Sequence, residues 1–215
     1  LIPVVAHNIR NPLASIRASA QLLDHAEDKK EINESKQAII DTIDRLGRWV
    51  SALVSYLHPL EPNLINVEAS KLVDAVLEVL RNKIKEKKIN VIKDGWENSV
   101  SLNVDPDLME QAIYGLLANA IDASPESGVL EIKIVNNTDK LEIQIQDSGS
   151  GLPFEPKPGN LEPGPSTKRF GTGLGIPIAF KICQKHNWKL SFKTKSGKGT
   201  RAIITAPTKL VKEFS

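Results

Sequence analysis

Cysteine, methionine and aromatic residues are scarce in this chain: one cysteine, one methionine, three tryptophans, two tyrosines and five phenylalanines among 215 residues. A lone Cys183 excludes an intrachain disulfide, and its place in an apolar helical run marks it as a small buried hydrophobe suited to a reducing compartment. Charge of one sign is also lacking, and a net +2 leaves no electrostatic footprint for nucleic acid. No apolar run reaches the roughly 20 residues that a membrane-spanning helix needs. The opening Leu1-Ile-Pro-Val-Val-Ala-His7 has neither the charged n-region nor the cleavage site of a secretory leader. No membrane contact is therefore expected within the fragment. It starts inside a helical pattern without a methionine, so the expectation is a cytoplasmic piece of a longer chain whose upstream part is a sensor or membrane anchor.

What is present is ordered periodicity. Ile9, Leu13, Ile16, Ala20 and Leu23 alternate four and three apart, as do Ile39, Ile43, Leu46, Val50, Leu53 and Leu57 after the polar turn 24–31. Two amphipathic helices with a short connection make an antiparallel hairpin whose apolar seams stay partly wet in isolation. Pairing two hairpins into a four-helix bundle covers them, so a homodimer is expected. Pro59 and Pro62 stop the second helix and place a boundary near residue 60, giving a hairpin at 1–60 and a second domain at 61–215.

Beyond it, a short strand at 64–67 precedes a helix carrying Leu72, Val73, Val76, Leu80 and Ile84. Two strands flank the turn Asp94-Gly95, and Asp105-Pro106 starts a helix running to Ala123. Alternation over 129–135 and 141–146 predicts a hairpin delivering Asp147 at a strand end. The proline- and glycine-rich stretch 152–169 has no periodicity and reads as a lid. A helix over 173–186 and two closing strands complete an α/β sandwich, making the whole chain α+β.

The chemistry gathers in two glycine-rich segments, Asp147-Ser-Gly149-Ser-Gly151 and Phe170-Gly171-Thr172-Gly173-Leu174-Gly175. Glycines let backbone approach a ligand, and a helix N-terminus favours phosphate. A carboxylate at a strand end can accept from the exocyclic amine of adenine. Asn119, in Leu116-Leu-Ala-Asn-Ala-Ile-Asp122, sets an amide beside an apolar face; its carbonyl suits an Mg²⁺ that keeps waters and leans on substrate phosphates.

In this order and spacing the segments resemble the N box and two glycine boxes of the GHKL (Bergerat-fold) ATPases, which include gyrase, the heat-shock chaperones, MutL and histidine kinases. Ser166-Thr-Lys168 resembles the end of the lid in nitrogen-regulation-type histidine kinases. The resemblance implies a mixed-sheet ATP-binding domain. It assigns nucleotide contacts to Asn119, Asp122, Asp147, Gly149, Gly151, Lys168, Gly171, Thr172, Gly173, Leu174 and Gly175, with Asn119 the ligand of Mg²⁺.

On a helical wheel with Val5 at zero, the apolar stripe of the first helix covers roughly 0–80°, while His7 falls near roughly 200° and Asn11 near roughly 240°. An exposed neutral imidazole is a competent nucleophile once oriented. His25 lies on the same face, so position alone does not single out His7. The context His7-Asn8-Ile-Arg-Asn11-Pro12-Leu13 is similar to the phosphoacceptor box of sensor histidine kinases. That resemblance implies autophosphorylation of His7, transfer to an aspartate on a response regulator receiver domain, and phosphatase action involving Asn11.

Two departures stand out. The family usually has an acidic residue where this chain has Asn8; an amide cannot serve as the base, and losing a general base costs about 10²–10⁴ in rate. Gly115 stands where family N boxes often carry a second asparagine and the related ATPases a catalytic glutamate. An alternative consistent with Asn8 is an ATP-binding, regulator-binding module without autokinase activity, acting as a phosphatase or phosphotransfer scaffold. A GHKL ATPase or serine kinase acting on another protein would leave the hairpin unexplained.

Overall fold

The computed structural model describes residues 2–24, 28–152, 155–157, 174–194 and 197–207, with backbone alone at 2–4, 45, 48, 51, 52 and 55. The described chain forms two compact units: residues up to His58 with 174–177, and Pro59 onward with the rest from Ile178.

Helix α1 (Ile2–Leu23) and helix α2 (Lys29–Leu57) form the expected hairpin. Asp28 starts α2 by accepting from the Glu31 N–H at 2.8 Å, an N-cap placed before the first apolar residue, Ile32. His58 ends it with ψ 142°, because the proline ring at 59 pushes the preceding residue into extended geometry. Pro12 lies inside α1. The apolar residues of α2 divide between two faces. Ile39, Leu46 and Leu53 are half-buried or buried, together with Trp49, while Ile43, Val50 and Leu57 are exposed beside Ile40 and Val54.

In the second unit β2 (Asn90–Asp94), β4 (Val129–Asn136), β5 (Lys140–Asp147), β7 (Thr200–Pro207) and β6 (Lys189–Thr194) lie side by side in that order. β2 runs parallel to β4 and the other pairs are antiparallel, so the sheet is mixed. Its two faces follow from the two-residue alternation of the strands. Leu130, Ile132, Ile134, Leu141, Ile143, Ile145, Leu190, Phe192, Ala202 and Ile204 are buried. The register places Glu131, Lys133, Gln144, Glu142, Gln146 and Arg201 on the opposite face. The core is completed by α3 (Ala69–Val79), α5 (Pro106–Ala123) and α6 (Gly175–Lys185), which bury Leu72, Val73, Val76, Met109, Ile113, Leu117, Ile121, Ile182 and Cys183. Phe180 of α6 meets Phe192 of β6 at 5.8 Å between ring centres.

One feature departs from the sequence reading and a second was left open by it. The helix expected through Ile84 breaks at Leu80 (φ −86°, ψ 0°) into α3 and a short α4 (Arg81–Glu86). The strands flanking Asp94-Gly95 do not pair: β3 (Ser101–Val104) joins β1 (Ile65–Glu68) in a separate two-stranded sheet. Gly95 has φ 78°, and a Cβ there would overlap the Ile134 carbonyl, so a left-handed residue and a 3₁₀ turn at Trp96–Asn98 steer the chain away from hairpin closure.

Both ends of α5 are fastened. At its start Asp105 accepts from Leu108 N–H at 3.0 Å and Asn63 N–H at 2.8 Å. The Asp105 N–H donates to His186 Nε2 at 3.1 Å while His186 Nδ1 donates to the Ile182 carbonyl at 2.8 Å, an arrangement that requires the neutral Nδ1–H tautomer. At its end Lys87 Nζ donates to the carbonyls of Ile121 and Asp122 at 2.8 and 2.9 Å.

Candidate functional site

The candidate residues fall into two sets, one in each unit. On α1, His7 and Asn11 are exposed and one helical turn apart, with Asn11 Nδ2 at 3.0 Å from His7 Nε2. When the amide donates, Nε2 is the acceptor and the ring proton sits on Nδ1. Asn8, the next residue round the helix, is only 6% exposed. Burial explains why an amide is tolerable there: an unpaired carboxylate at that position would be strongly disfavoured.

The second set is built around Asp147, at the end of β5. Its carboxylate is buried, and Oδ1 accepts from the N–H of Gly149 at 2.8 Å and of Thr200 at 3.1 Å. Two backbone donors on one oxygen fix the rotamer. Gly149 is sterically required, since a Cβ would stand 2.6 Å from the Ala123 carbonyl oxygen. Gly151 has φ 83°, in the left-handed region that glycine enters freely. Ser148 Oγ accepts from Val129 N–H at 2.9 Å, tying this loop to the start of β4.

Sequence reasoning missed the residues that close this loop from the other side. Gly199 (φ 76°) lies so close to the Asp147 carbonyl that a Cβ would overlap it. Gly197 N–H donates to the Ser150 carbonyl at 2.8 Å, and Leu152 N–H to Thr194 Oγ1 at 2.7 Å. The available signal was Gly197-Lys-Gly199-Thr200, which as a linear motif is an ordinary turn between two strands.

On α5, Asn119 and Ala123 are four residues apart and therefore share a side of the helix. The Ala123 carbonyl abuts Gly149, so the C-terminal end of α5, one turn beyond Asn119, meets the Asp147 loop. Asp122 forms an ion pair with Lys83 at 2.6 Å. Leu174 is fully buried and Gly175 opens α6. Lys168, Gly171, Thr172 and Gly173 lie outside the described residues, as does most of the lid. Among the described residues no group of three His, Cys, Asp or Glu side chains is arranged to hold a metal. A single amide suits a cation that arrives with its phosphate ligands, not one caged by protein. On α6, burial and then Lys185 hold Lys181 below the usual lysine range, and burial pushes the Cys183 thiol up to about 12.

Comparison with known proteins matches both units. A model of the His Kinase A (phospho-acceptor) domain matches residues 1–58, and one of the histidine kinase-, DNA gyrase B- and HSP90-like ATPases matches residues 104–210. The sensor histidine kinase ZraS of Escherichia coli K12 is 27% identical over 210 residues, covering 97% of this chain and 45% of the relative. Sporulation kinase C of Bacillus subtilis is 27% identical over 207 residues, 95% of this chain and 48% of the relative. The chain thus spans about half the length of these relatives. The fold is shared with histidine kinase ThkA, solved in complex with the response regulator protein TrrA (TM-score 0.76, 22% identity, 97% of this chain and 61% of that one). It is also shared with the kinase AdeS of Acinetobacter baumannii (TM-score 0.66, 17% identity, 94% and 98%). The chain, a phospho-acceptor hairpin followed by a GHKL-type ATPase domain, belongs to the sensor histidine kinases.

Proposed function

We propose that this chain is the catalytic core of a sensor histidine kinase, with a hairpin domain at 1–60 and an ATP-binding domain at 61–215. It binds ATP, autophosphorylates on His7 and passes the phosphoryl group to an aspartate of a response regulator receiver domain. The observation that carries this reading is an exposed His7 on the hairpin of a chain that also fixes a buried carboxylate, Asp147, by two backbone donors. Asp147 would accept from the adenine amine, and Asn119, Asp122, Gly149, Gly151, Leu174 and Gly175, with Lys168, Gly171, Thr172 and Gly173 in the preceding segment, would complete the nucleotide site. An Mg²⁺ held through Asn119 and the nucleotide's phosphates would offset charge on the transferred group. His7 contributes its unprotonated ring nitrogen: the new bond joins nitrogen to the γ-phosphorus, the bond to the bridging oxygen breaks, ADP leaves, and the other ring nitrogen gives up its proton. Asn11 would turn away from Nε2 during that step and orient water for hydrolysis of the phosphorylated regulator.

Homodimerisation is part of the proposal, supported by the exposed Ile43, Val50 and Leu57 of α2. The proposed setting is cytoplasmic, with the sensing region outside this stretch. No helix among the described residues is long and apolar enough to cross a membrane. The test is incubation with γ-labelled ATP and Mg²⁺. The expected product is acid-labile, alkali-stable phosphate on the protein, absent in His7→Ala. If the chain binds ATP but takes up label only after Asn8→Glu, it is the degenerate scaffold; label that persists in His7→Ala places the acceptor elsewhere.

A further inference from the structure

We infer that Lys83 and Lys87 are positioning residues for the nucleotide site, acting through the C-terminal end of α5 on the Asp147 loop. The inference rests on the ATP-binding reading above.

The last carbonyls of a helix have no partner within it, and a cation there is favoured by the helix dipole. Lys87 fills that place on α5 with two hydrogen bonds, at 2.8 Å to Ile121 and 2.9 Å to Asp122. Its own carbonyl accepts from Ser127 N–H at 3.0 Å, so one residue grips the helix end and the turn after it. Lys83, one turn earlier in the chain, holds the Asp122 carboxylate at 2.6 Å.

Two connections run from this clamp to the Asp147 loop. Through α5, the Ala123 carbonyl abuts Gly149, whose N–H donates to Asp147 Oδ1. Through the turn, Gly128 leads into Val129, whose N–H donates to Ser148 Oγ at 2.9 Å. A Cβ on Gly128 would lie 2.8 Å from that same oxygen, so displacement of the turn moves Ser148. Neither lysine needs to touch nucleotide, because both set where Asp147 and Gly149 sit. Acting through the loop that would read adenine, they affect every adenine ligand alike, whatever its phosphate count.

The experiment measures binding of ATP, ADP and adenosine by calorimetry to wild type, Lys87→Met, Lys87→Arg and Lys83→Met, with the amide resonances of Gly149 and Thr200 followed by ¹⁵N NMR. Lys87→Met is expected to weaken all three ligands equally, on the order of 10-fold, a common size for coupling between two sites, and to shift both resonances. Lys87→Arg restores much of the loss. Lys83→Met, which removes a half-exposed ion pair and keeps the fold, weakens all three by about 3-fold and keeps the test available should Lys87→Met fail to fold. Unchanged affinities and resonances overturn the inference. A loss confined to ATP and ADP also overturns it, since the lysines would then act on the phosphates directly. Wild type binding none of the three overturns the ATP-binding reading and this inference with it.

Discussion

Gly199 is seated against the carbonyl oxygen of Asp147, with φ 76° and no room for a Cβ. Gly197, two residues earlier, has φ 72° and open space around it. The pair separates backbone strain from close approach. Gly197→Ala is expected to cost about 1–2 kcal/mol, the penalty of a left-handed L-residue, with the smaller effect on nucleotide affinity, since the N–H that donates to the Ser150 carbonyl is kept. Gly199→Ala incurs the same strain and also displaces Asp147, so it is expected to lose stability beyond Gly197→Ala and at least about 10-fold in ATP affinity. Denaturant unfolding and calorimetric titration of the two variants check this. Equal affinities would remove Gly199 from the site.

Much of this architecture is legible in the residues, and the illegible part has one cause. Local signals carried through: the four-three spacing of Ile39 to Leu57, Pro106 at the first turn of α5, and the alternation of Leu141, Ile143 and Ile145 that ends on Asp147. What needed the third dimension was pairing between distant segments. β2 joins β4 across a whole helix, and the strand after Gly95 leaves for β1. Thr200 reaches Asp147 from 53 positions away. Lys83 and Lys87 stand in a local run of lysines whose acceptors, Asp122 and the end of α5, are remote in the sequence. The widths of apolar seams were also ambiguous: periodicity shows that Ile43, Val50 and Leu57 are on a seam with Leu46 and Leu53, not that the hairpin leaves the former exposed.

Cys183 gives a pH dependence with a definite sign. Burial raises its thiol from an ordinary 9.0 to about 12, so the folded chain stays protonated where the unfolded chain has ionised. The unfolded state then binds fewer protons, and stability falls as pH rises. The contribution is intact below pH 9 and is lost progressively toward pH 12, at no more than about 1.4 kcal/mol per pH unit. Other titrating groups cancel when wild type is compared with Cys183→Ala. The stability difference between them should therefore shrink by about that slope above pH 9 in urea unfolding series, and a difference constant from pH 8 to pH 10.5 would place the thiol in contact with solvent.

The exposed residues of α2 predict the oligomeric state. Ile43, Val50 and Leu57 are 51%, 39% and 55% exposed at seven-residue intervals, with Ile40 and Val54 beside them. Seven-residue spacing keeps a side chain on one seam of a packed helix pair. Val50→Asp would bury a charge in a homodimer, at a cost of several kcal/mol, and leave a monomer. Sedimentation at tens of micromolar should give a dimer for wild type and a monomer for Val50→Asp with unchanged helicity. A monomeric wild type would refute the four-helix bundle.

On the proposed mechanism, Asn8 would limit how fast His7 is phosphorylated. An amide accepts no proton, so the imidazole proton released as the phosphorus–nitrogen bond forms must pass to water or phosphate. Asn8→Glu would supply an acceptor one residue from His7. Its burial at 6% exposure opposes this, since a carboxylate in that place has its ionised form penalised and its pKa raised. A carboxyl there takes up its proton more readily than an exposed one, so the base is most available at the alkaline end of the range. Asn8→Glu is therefore expected to raise the initial rate of His7 labelling by about 10²-fold at pH 8, with the gain falling away as the pH is lowered and the glutamate protonates. The same substitution should cost about 1–3 kcal/mol of stability, the usual size for a buried polar group poorly matched to its surroundings. Labelling rates from pH 6 to pH 9, with unfolding measured in parallel, give both numbers. A stability loss without a rate gain would show that position 8 does not face the proton of His7, and that the amide there serves packing alone.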